Sequence, residues 1–247
     1  MSETEKIIVV IPAYNEEANL PSVLKRAAEA LPGADLLVIN DGSRDRTSRV
    51  ARSHGARVVD LPFNLGIGAA VETGYKYAYH HGYDLVVRVD GDGQHTPEEI
   101  PALLEPIRAG ELDFAVGSRF LGKGDAIGST TLPRRMGIRI FSRFVTSLVG
   151  KPFTDPTSGF RAFNRRTLHA FMAEYPVEFP EVETIFYLHR KGLRIGEVSV
   201  SMSPRPSGKS SINFWSAVYY MYKVTFALLI LTIRSYRNTV STKGGDR

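Results

Sequence analysis

Short apolar runs alternate with longer amphipathic stretches through the first half of the chain. Ile7–Ile11 (IIVVI) and Leu36–Ile39 (LLVI) are unbroken apolar runs, the pattern of strands covered on both faces. Arg57–Leu61, Asp84–Val89 and Phe114–Val116 continue the series. Between them lie Glu16–Ala30, Arg44–His54, Ile67–His81 and Pro97–Arg108, each long enough for a crossover helix. Strands separated by such helices predict βαβ units, and so an α/β fold with a Rossmann-like, mostly parallel central sheet flanked by helices. Ligands of such sheets sit beyond the carboxyl ends of the strands. The polar segments Pro12–Glu17, Asn40–Asp45 and Asp90–His95 follow predicted strands and mark the expected site.

The second half is less regular. Gly122–Gly128 reads as a Gly-rich loop, Lys151–Gly159 as a loop, and Ser203–Ser211 as a basic loop rich in Pro, Ser and Gly. Arg134–Val149 and Glu181–Lys191 predict helices, and Leu193–Val200 a strand. Arg135, Arg139 and Arg143 share one face of the first of these helices, a face suited to anionic lipid. Phe214–Ile233 is a 20-residue stretch with a single charge, Lys223. Its length suffices for a bilayer span. A central lysine, however, costs about 2.5–3.5 kcal/mol on insertion. The uninterrupted run Val224–Ile233 is too short to span alone, and Trp215, Tyr219, Tyr220 and Tyr222 suit the headgroup region. A helix lying on the membrane surface fits best, ahead of a core or dimer helix and a true span. The expected organisation is a catalytic domain over residues 1–211 and a C-terminal apolar helix with a basic tail over 212–247.

Composition narrows the classes. The 247 residues are 43% hydrophobic and 23% charged, which excludes a disordered or low-complexity chain. There is no cysteine, hence no disulfide framework, thiolate nucleophile or Cys-ligated metal. The formal charge of +5 is a modest excess, suited to phosphate-bearing ligands or an anionic membrane as well as to nucleic acid. Met1–Lys6 is polar and the apolar run after it is too short for a signal-peptide core, so the catalytic part is expected in the cytoplasm.

The strongest chemical signal is Val89–His95 (VDGDGQH). Two carboxylates separated by one glycine can converge on a hard cation, which binds through one or two carboxylates plus substrate phosphates. A plain Asp-Gly turn is the alternative. In Ile11–Glu17 (IPAYNEE), Tyr14 offers a face to a nucleobase and Glu16 an acceptor for base or ribose, while Asn15, Glu16 and Glu17 equally suit a helix start. In Asn40–Thr47 (NDGSRDRT), Asp41 stands where a second strand would deliver a carboxylate to a base or ribose. Leu65–Val71 lacks the third glycine of a dinucleotide fingerprint, and His80, His81 and His95 form no metal-ligand set.

VIPAYNEE, NDGSRDRT, NLGIGAA, VDGDGQH, VGSRF and DPTSGFRAFNR occur in that order. Together they resemble the inverting glycosyltransferases of family 2, with the GT-A fold, and most closely the dolichyl- or polyprenyl-phosphate sugar transferases. The resemblance implies that Pro12, Ala13, Tyr14 and Glu16 bind nucleotide, with Asp41 on base or ribose. It implies that Asp90, Asp92 and Gln94 hold Mg²⁺ or Mn²⁺ and the donor diphosphate, Asp92 contacting the metal directly. Arg119 and Arg134 match phosphate-binding positions, and Arg205 and Lys209 a basic loop that closes over phosphate. Asp155 and Ser158–Arg161 match an acceptor-side motif. The catalytic set expected from this is Asp92, Asp155, Arg161 and Arg205.

A sugar hydroxyl acceptor needs a base, whereas a lipid phosphate is already anionic and needs positioning and cations. The chain has no obvious Glu-Asp pair and no Gln-x-x-Arg-Trp of the processive cellulose- and chitin-type relatives. Asp155 leads as base or acceptor-orienting group, with Glu181 and Glu183 behind it; a pairing of Asp155 with Arg161 is the plainer alternative. The expected activity is metal-dependent, inverting transfer of one sugar from a UDP- or GDP-sugar to polyprenyl phosphate, by a peripheral protein at the cytoplasmic membrane face. The alternative is the same donor chemistry on a soluble saccharide or small-molecule hydroxyl. A homo-oligomer built through the C-terminal helices fits the sequence; nucleic acid is not an expected partner.

Overall fold

In the computed structural model of this chain, residues 5–121, 132–177 and 180–202 are described, residues 132–138 by their backbone alone. Strands β1 (Ile7–Ala13), β2 (Asp35–Asn40), β3 (Arg57–Asp60) and β4 (Leu85–Arg88) are linked by helices α1 (Leu20–Ala30), α2 (Thr47–Ser53) and α3 (Ile67–His80). Then follow α4 (Ile100–Arg108), β5 (Phe114–Ser118), α5 (Leu132–Val149) and β6 (Arg161–Asn164). The described chain closes with α6 (Arg165–Ala173), α7 (Pro180–Arg190) and β7 (Ile195–Ser199). One sheet holds all seven strands in the order β3-β2-β1-β4-β6-β5-β7. Only β6 runs against its neighbours β4 and β5; every other pair is parallel. The mostly parallel sheet expected from the apolar runs is therefore present.

Both faces of the sheet are covered, which is why Ile8–Ile11 are buried without alternation. On one face Leu20, Val23, Leu24 and Ala27 of α1, spaced i, i+3, i+4, i+7, join Leu103, Leu104 and Ile107 of α4 over Val9, Ile11 and Val87. On the other face the core is aromatic. The rings of Tyr75 and Phe163 meet edge to face at 4.8 Å, and Phe171 stacks on Tyr75 at 5.4 Å.

The structure departs from the sequence pattern in three places. Helix α1 starts at Leu20 rather than Glu16, because Glu16–Asn19 form a turn in which Asn19 and Leu20 N–H both donate to the Glu16 carbonyl. Helix α2 starts at Thr47, where Asp45 Oδ1 accepts from the Thr47 N–H at 2.9 Å. Strand β6 and helix α6 were not expected at all, since a four-residue strand opening on an arginine carries no apolar run. Gly122–Gly128, Ser203–Ser211 and Phe214–Ile233 lie outside the described residues. Among the described residues no helix is long and apolar enough to cross a membrane.

The sheet edge away from the motifs is pinned by Asp113, which is buried just before β5. Its carboxylate accepts from Arg194 N–H (2.9 Å), Arg194 Nε (3.0 Å), Arg194 Nη2 (2.9 Å) and Asn164 Nδ2 (3.0 Å), joining β5, β6 and the entry to β7. The hydrogen bonds from Arg194 hold its carboxyl well below the usual carboxylate range. A lowered folded-state pKa gives stability that is full above the unfolded value, about 4, and is lost as the pH falls through the folded one. Asp113→Asn is therefore expected to lower the urea midpoint at pH 7, and the gap between wild type and variant should narrow as the pH is brought to 3.

Candidate active site

The loops after β1, β2 and β4 converge at one sheet edge and are joined through their backbones. Asp41 N–H donates to the Ala13 carbonyl (2.9 Å) and Gly91 N–H to the Pro12 carbonyl (3.2 Å). Pro12 and Ala13 themselves are buried in β1. Asn15 takes a left-handed conformation, φ 55°, its N–H donating to Ser43 Oγ (2.9 Å) and its Oδ1 accepting from Arg44 N–H (2.8 Å). Glu16 is buried; its N–H donates to Thr47 Oγ1 (2.9 Å), and its carboxylate accepts from Asn19 Nδ2 (2.6 Å). Tyr14 stands apart from this web, 42% exposed.

Asp41 is buried and its two oxygens accept from the Leu65 and Gly66 N–H groups at 2.7 and 2.9 Å. Its carboxylate thus holds the loop between β3 and α3. Gly42 follows with φ +66°, and a Cβ there would lie 2.4 Å from the Phe63 carbonyl carbon. Only glycine allows both that conformation and that approach.

Beyond β4, Asp90 accepts from Arg88 Nε (3.1 Å). Asp90 N–H donates to His95 Nδ1 (2.9 Å), which leaves the imidazole proton on Nε2, 3.7 Å from Asp90 Oδ2. His95 is buried and stacks on Phe160 at 5.1 Å; burial pushes its pKa below the ordinary imidazole value. Burial, the largest influence, would by itself raise the Asp90 carboxyl, but Arg88, His95 and Arg161 together hold the group below the usual range. Asp92 Oδ1 accepts the Gln94 N–H at 3.0 Å, closing a tight turn. A Cβ on Gly159 would fall 2.4 Å from Asp90 Oδ2, so the absence of a side chain there gives this oxygen its place.

Asp90 and Asp92 offer hard oxygen donors at a strand end, and Gly159, having no side chain, leaves room for Asp90 Oδ2. This donor set fits Mg²⁺ or Mn²⁺ completed by phosphate oxygens. Among the described residues no three His, Cys, Asp or Glu side chains gather as a metal site of their own.

Residues 8–171 match the family model described as Glycosyl transferase family 2. The chain belongs to glycosyl transferase family 2. Along 217 residues it is 33% identical to the undecaprenyl-phosphate mannosyltransferase of Micrococcus luteus, covering 84% of this chain and 88% of that one. It is 29% identical over 236 residues to the polyprenol monophosphomannose synthase of Mycolicibacterium smegmatis, with 90% and 86% covered. It resembles, with a TM-score of 0.62 and 26% identity over 83% of this chain and 73% of that one, the glucosyl-3-phosphoglycerate synthase of Mycobacterium tuberculosis solved with Mn²⁺, uridine diphosphate and glucosyl-3-phosphoglycerate. The sheet and its covering helices are those of a GT-A glycosyltransferase.

In this family 2 glycosyltransferase the residues expected on the acceptor side are held by charge. Asp155 is fully buried and takes a two-pronged bond from Arg119, Nε to Oδ2 at 2.6 Å and Nη2 to Oδ1 at 2.9 Å. Asp155 therefore pairs with Arg119, not with Arg161. Glu197 on β7 anchors the loop from behind, accepting the Thr154 N–H (2.7 Å), Thr154 Oγ1 (2.8 Å) and Asp155 N–H (2.6 Å), while burial pushes its carboxyl up. Arg161 is buried, and its guanidinium donates to the carbonyls of Ser158 (2.9 Å), Pro180 (3.2 Å) and Glu181 (2.6 Å). These contacts make it a clamp between the loop before β6 and the start of α7. Arg134 lies on α5 where only the backbone is described; Arg205 and Lys209 lie outside the described residues.

Three contributors were missed from sequence: Arg88, Glu197 and the carboxylate of Glu181 as partner of a buried cation. Arg88 had a signal, a lone charge inside the apolar run Leu85–Val89. Removing one member of a buried pair strands the other, at a cost of about 3–5 kcal/mol. Arg119→Leu is expected to lose stability on that scale in urea unfolding at pH 7; a loss under 1 kcal/mol would mean that Asp155 does not need this partner.

Proposed function

We propose that this glycosyltransferase moves a single sugar, with inversion, from a nucleotide-sugar donor to polyprenyl phosphate at a membrane surface. The observation that carries the reading is the likeness, along most of both chains, to relatives named for mannosyl transfer to undecaprenyl phosphate and polyprenol. The site chemistry supports it. An acceptor phosphate oxygen is already a nucleophile, and Asp155 and Glu181, two of the three carboxylates expected as bases, are bonded to Arg119 and Arg88.

In this reading Tyr14 stacks on the base and the loop held by Asp41 lies along the nucleotide. Asp90 and Asp92 would hold Mg²⁺ or Mn²⁺, which when bound offsets the charge building on the departing nucleoside diphosphate. The acceptor oxygen attacks the anomeric carbon on the face opposite the diphosphate; the new C–O bond forms as the bond to diphosphate breaks. Arg205 and Lys209 supply further cations to the two phosphate groups. The catalytic domain is residues 1–211, and 212–247 provides the membrane or dimer contact.

Helix α5 supports a membrane-facing acceptor side. Arg139 and Arg143 are exposed with no ion-pair partner among the described residues, beside the exposed Ile140. The same helix is fixed to the acceptor loop, Phe153 N–H donating to Thr146 Oγ1 at 3.1 Å.

The test is a panel of UDP- and GDP-linked glucose, mannose and N-acetylglucosamine with and without short-chain polyprenyl phosphate, each repeated with EDTA. Lipid-linked sugar should form from one donor, only with polyprenyl phosphate, and stop with EDTA. Turnover that requires a hydroxyl acceptor and ignores the lipid phosphate would reject the reading. Asp92→Ala should lower kcat/KM by about 10²-fold or more; unchanged turnover would remove Asp92 from the cation site.

A further inference from the structure

We infer that Arg88 is a positioning residue for this reaction: it aims the Asp90 carboxylate and couples it, through Glu181, to the first turn of α7. The inference rests on the cation-dependent reading above. Arg88 and Asp90 are two residues apart at the end of β4 and so lie on the same side of the sheet. The arginine side chain is 2% exposed and the aspartate side chain 28%, so the guanidinium lies deeper than the carboxylate it holds.

The fork is divided between two acids. Nε donates to Asp90 Oδ1 and Nη2 to Glu181 Oε1, both at 3.1 Å. Because these nitrogens belong to one rigid plane, the direction of each carboxylate depends on the other. With Oδ1 engaged, Oδ2 is turned to the cradle at Gly159 and toward His95. Arg161 provides the contrast. It is the cross-strand partner of Arg88 in the β4–β6 ladder and equally buried, yet it donates only to backbone carbonyls. A fold that needed only to fill this position could do so with an apolar side chain, without burying a second cation beside the first. The link also ties the cation site to α7 and so to the segment Arg161 clamps.

The experiment is a titration of Mn²⁺ followed by its EPR signal, with UDP and separately with GDP present, alongside thermal unfolding. Arg88→Lys keeps the charge but cannot hold both acids in one plane. It should fold with a melting temperature within a few degrees of wild type and bind Mn²⁺ about 10–100-fold more weakly, the loss expected when a group orienting a metal ligand is changed. In an Asp90→Asn background the same change should add no further loss. Glu181→Gln serves where Arg88→Lys does not fold, and should weaken Mn²⁺ binding in the same direction. Wild-type Mn²⁺ affinity in folded Arg88→Lys, or failing that in Glu181→Gln, overturns the inference, as does a full further loss in the Asp90→Asn background. A wild-type protein that takes up no Mn²⁺ with either nucleotide overturns the cation reading and this inference with it; wild-type uptake with undiminished variant uptake overturns this inference alone.

Discussion

Two guanidiniums buried side by side on neighbouring strands are the constraint around which the part of the molecule that holds Asp90, Arg161 and the start of α7 is built. Arg88 and Arg161 face each other across the β4–β6 ladder, each about 1% exposed. Isolated charges are not tolerated in such a place, so acids and carbonyls must be brought to them. That requirement fixes the Asp90 carboxylate, the bend at Ser158–Gly159 and the entry to α7, three segments far apart in sequence. Because β6 runs antiparallel to β4, its first residue, Arg161, lies opposite Arg88, the last residue of β4.

The loops after β1 and β2 are held differently. They are joined by backbone amides and by short neutral or acidic side chains, as in Asn15 with Ser43 and Asp41 with Leu65 and Gly66. Such bonds satisfy polar groups without creating buried ion pairs, and they leave the Tyr14 ring exposed. The two parts meet at Asp90, whose backbone N–H is bonded within the VDGDGQH turn and whose side chain is bonded to the charge cluster.

Much of the fold was legible because covered parallel strands announce themselves as apolar runs, and IIVVI and LLVI lie in β1 and β2. The strand ends were legible for the same reason, since Pro12–Glu17, Asn40–Asp45 and Asp90–His95 had to follow them. What sequence could not supply was the use of each charge. Asp155 looks the same in sequence whether it serves as a base, pairs with Arg161 or, as found, with Arg119, and Asp41 looks the same facing a ribose or two loop amides. β6 escaped because four residues with an arginine at the start show no period, and Glu197 because an acid within a strand that pairs with β5 alone reads as a solvated position.

The insertion of β6 between β4 and β5 has a consequence for biosynthesis. A nascent chain that has emerged as far as β5 already contains every partner of the web that joins the loops after β1 and β2. It lacks Asp155, Arg161, Glu181 and Glu197, and β4 presents an open flank to which any other extended polypeptide can attach. Translation through β6 closes that flank, and translation through β7 completes the charge cluster. A product truncated before β6 would therefore carry the joined loops after β1 and β2, an unanchored Asp155 loop and a standing hazard of aggregation.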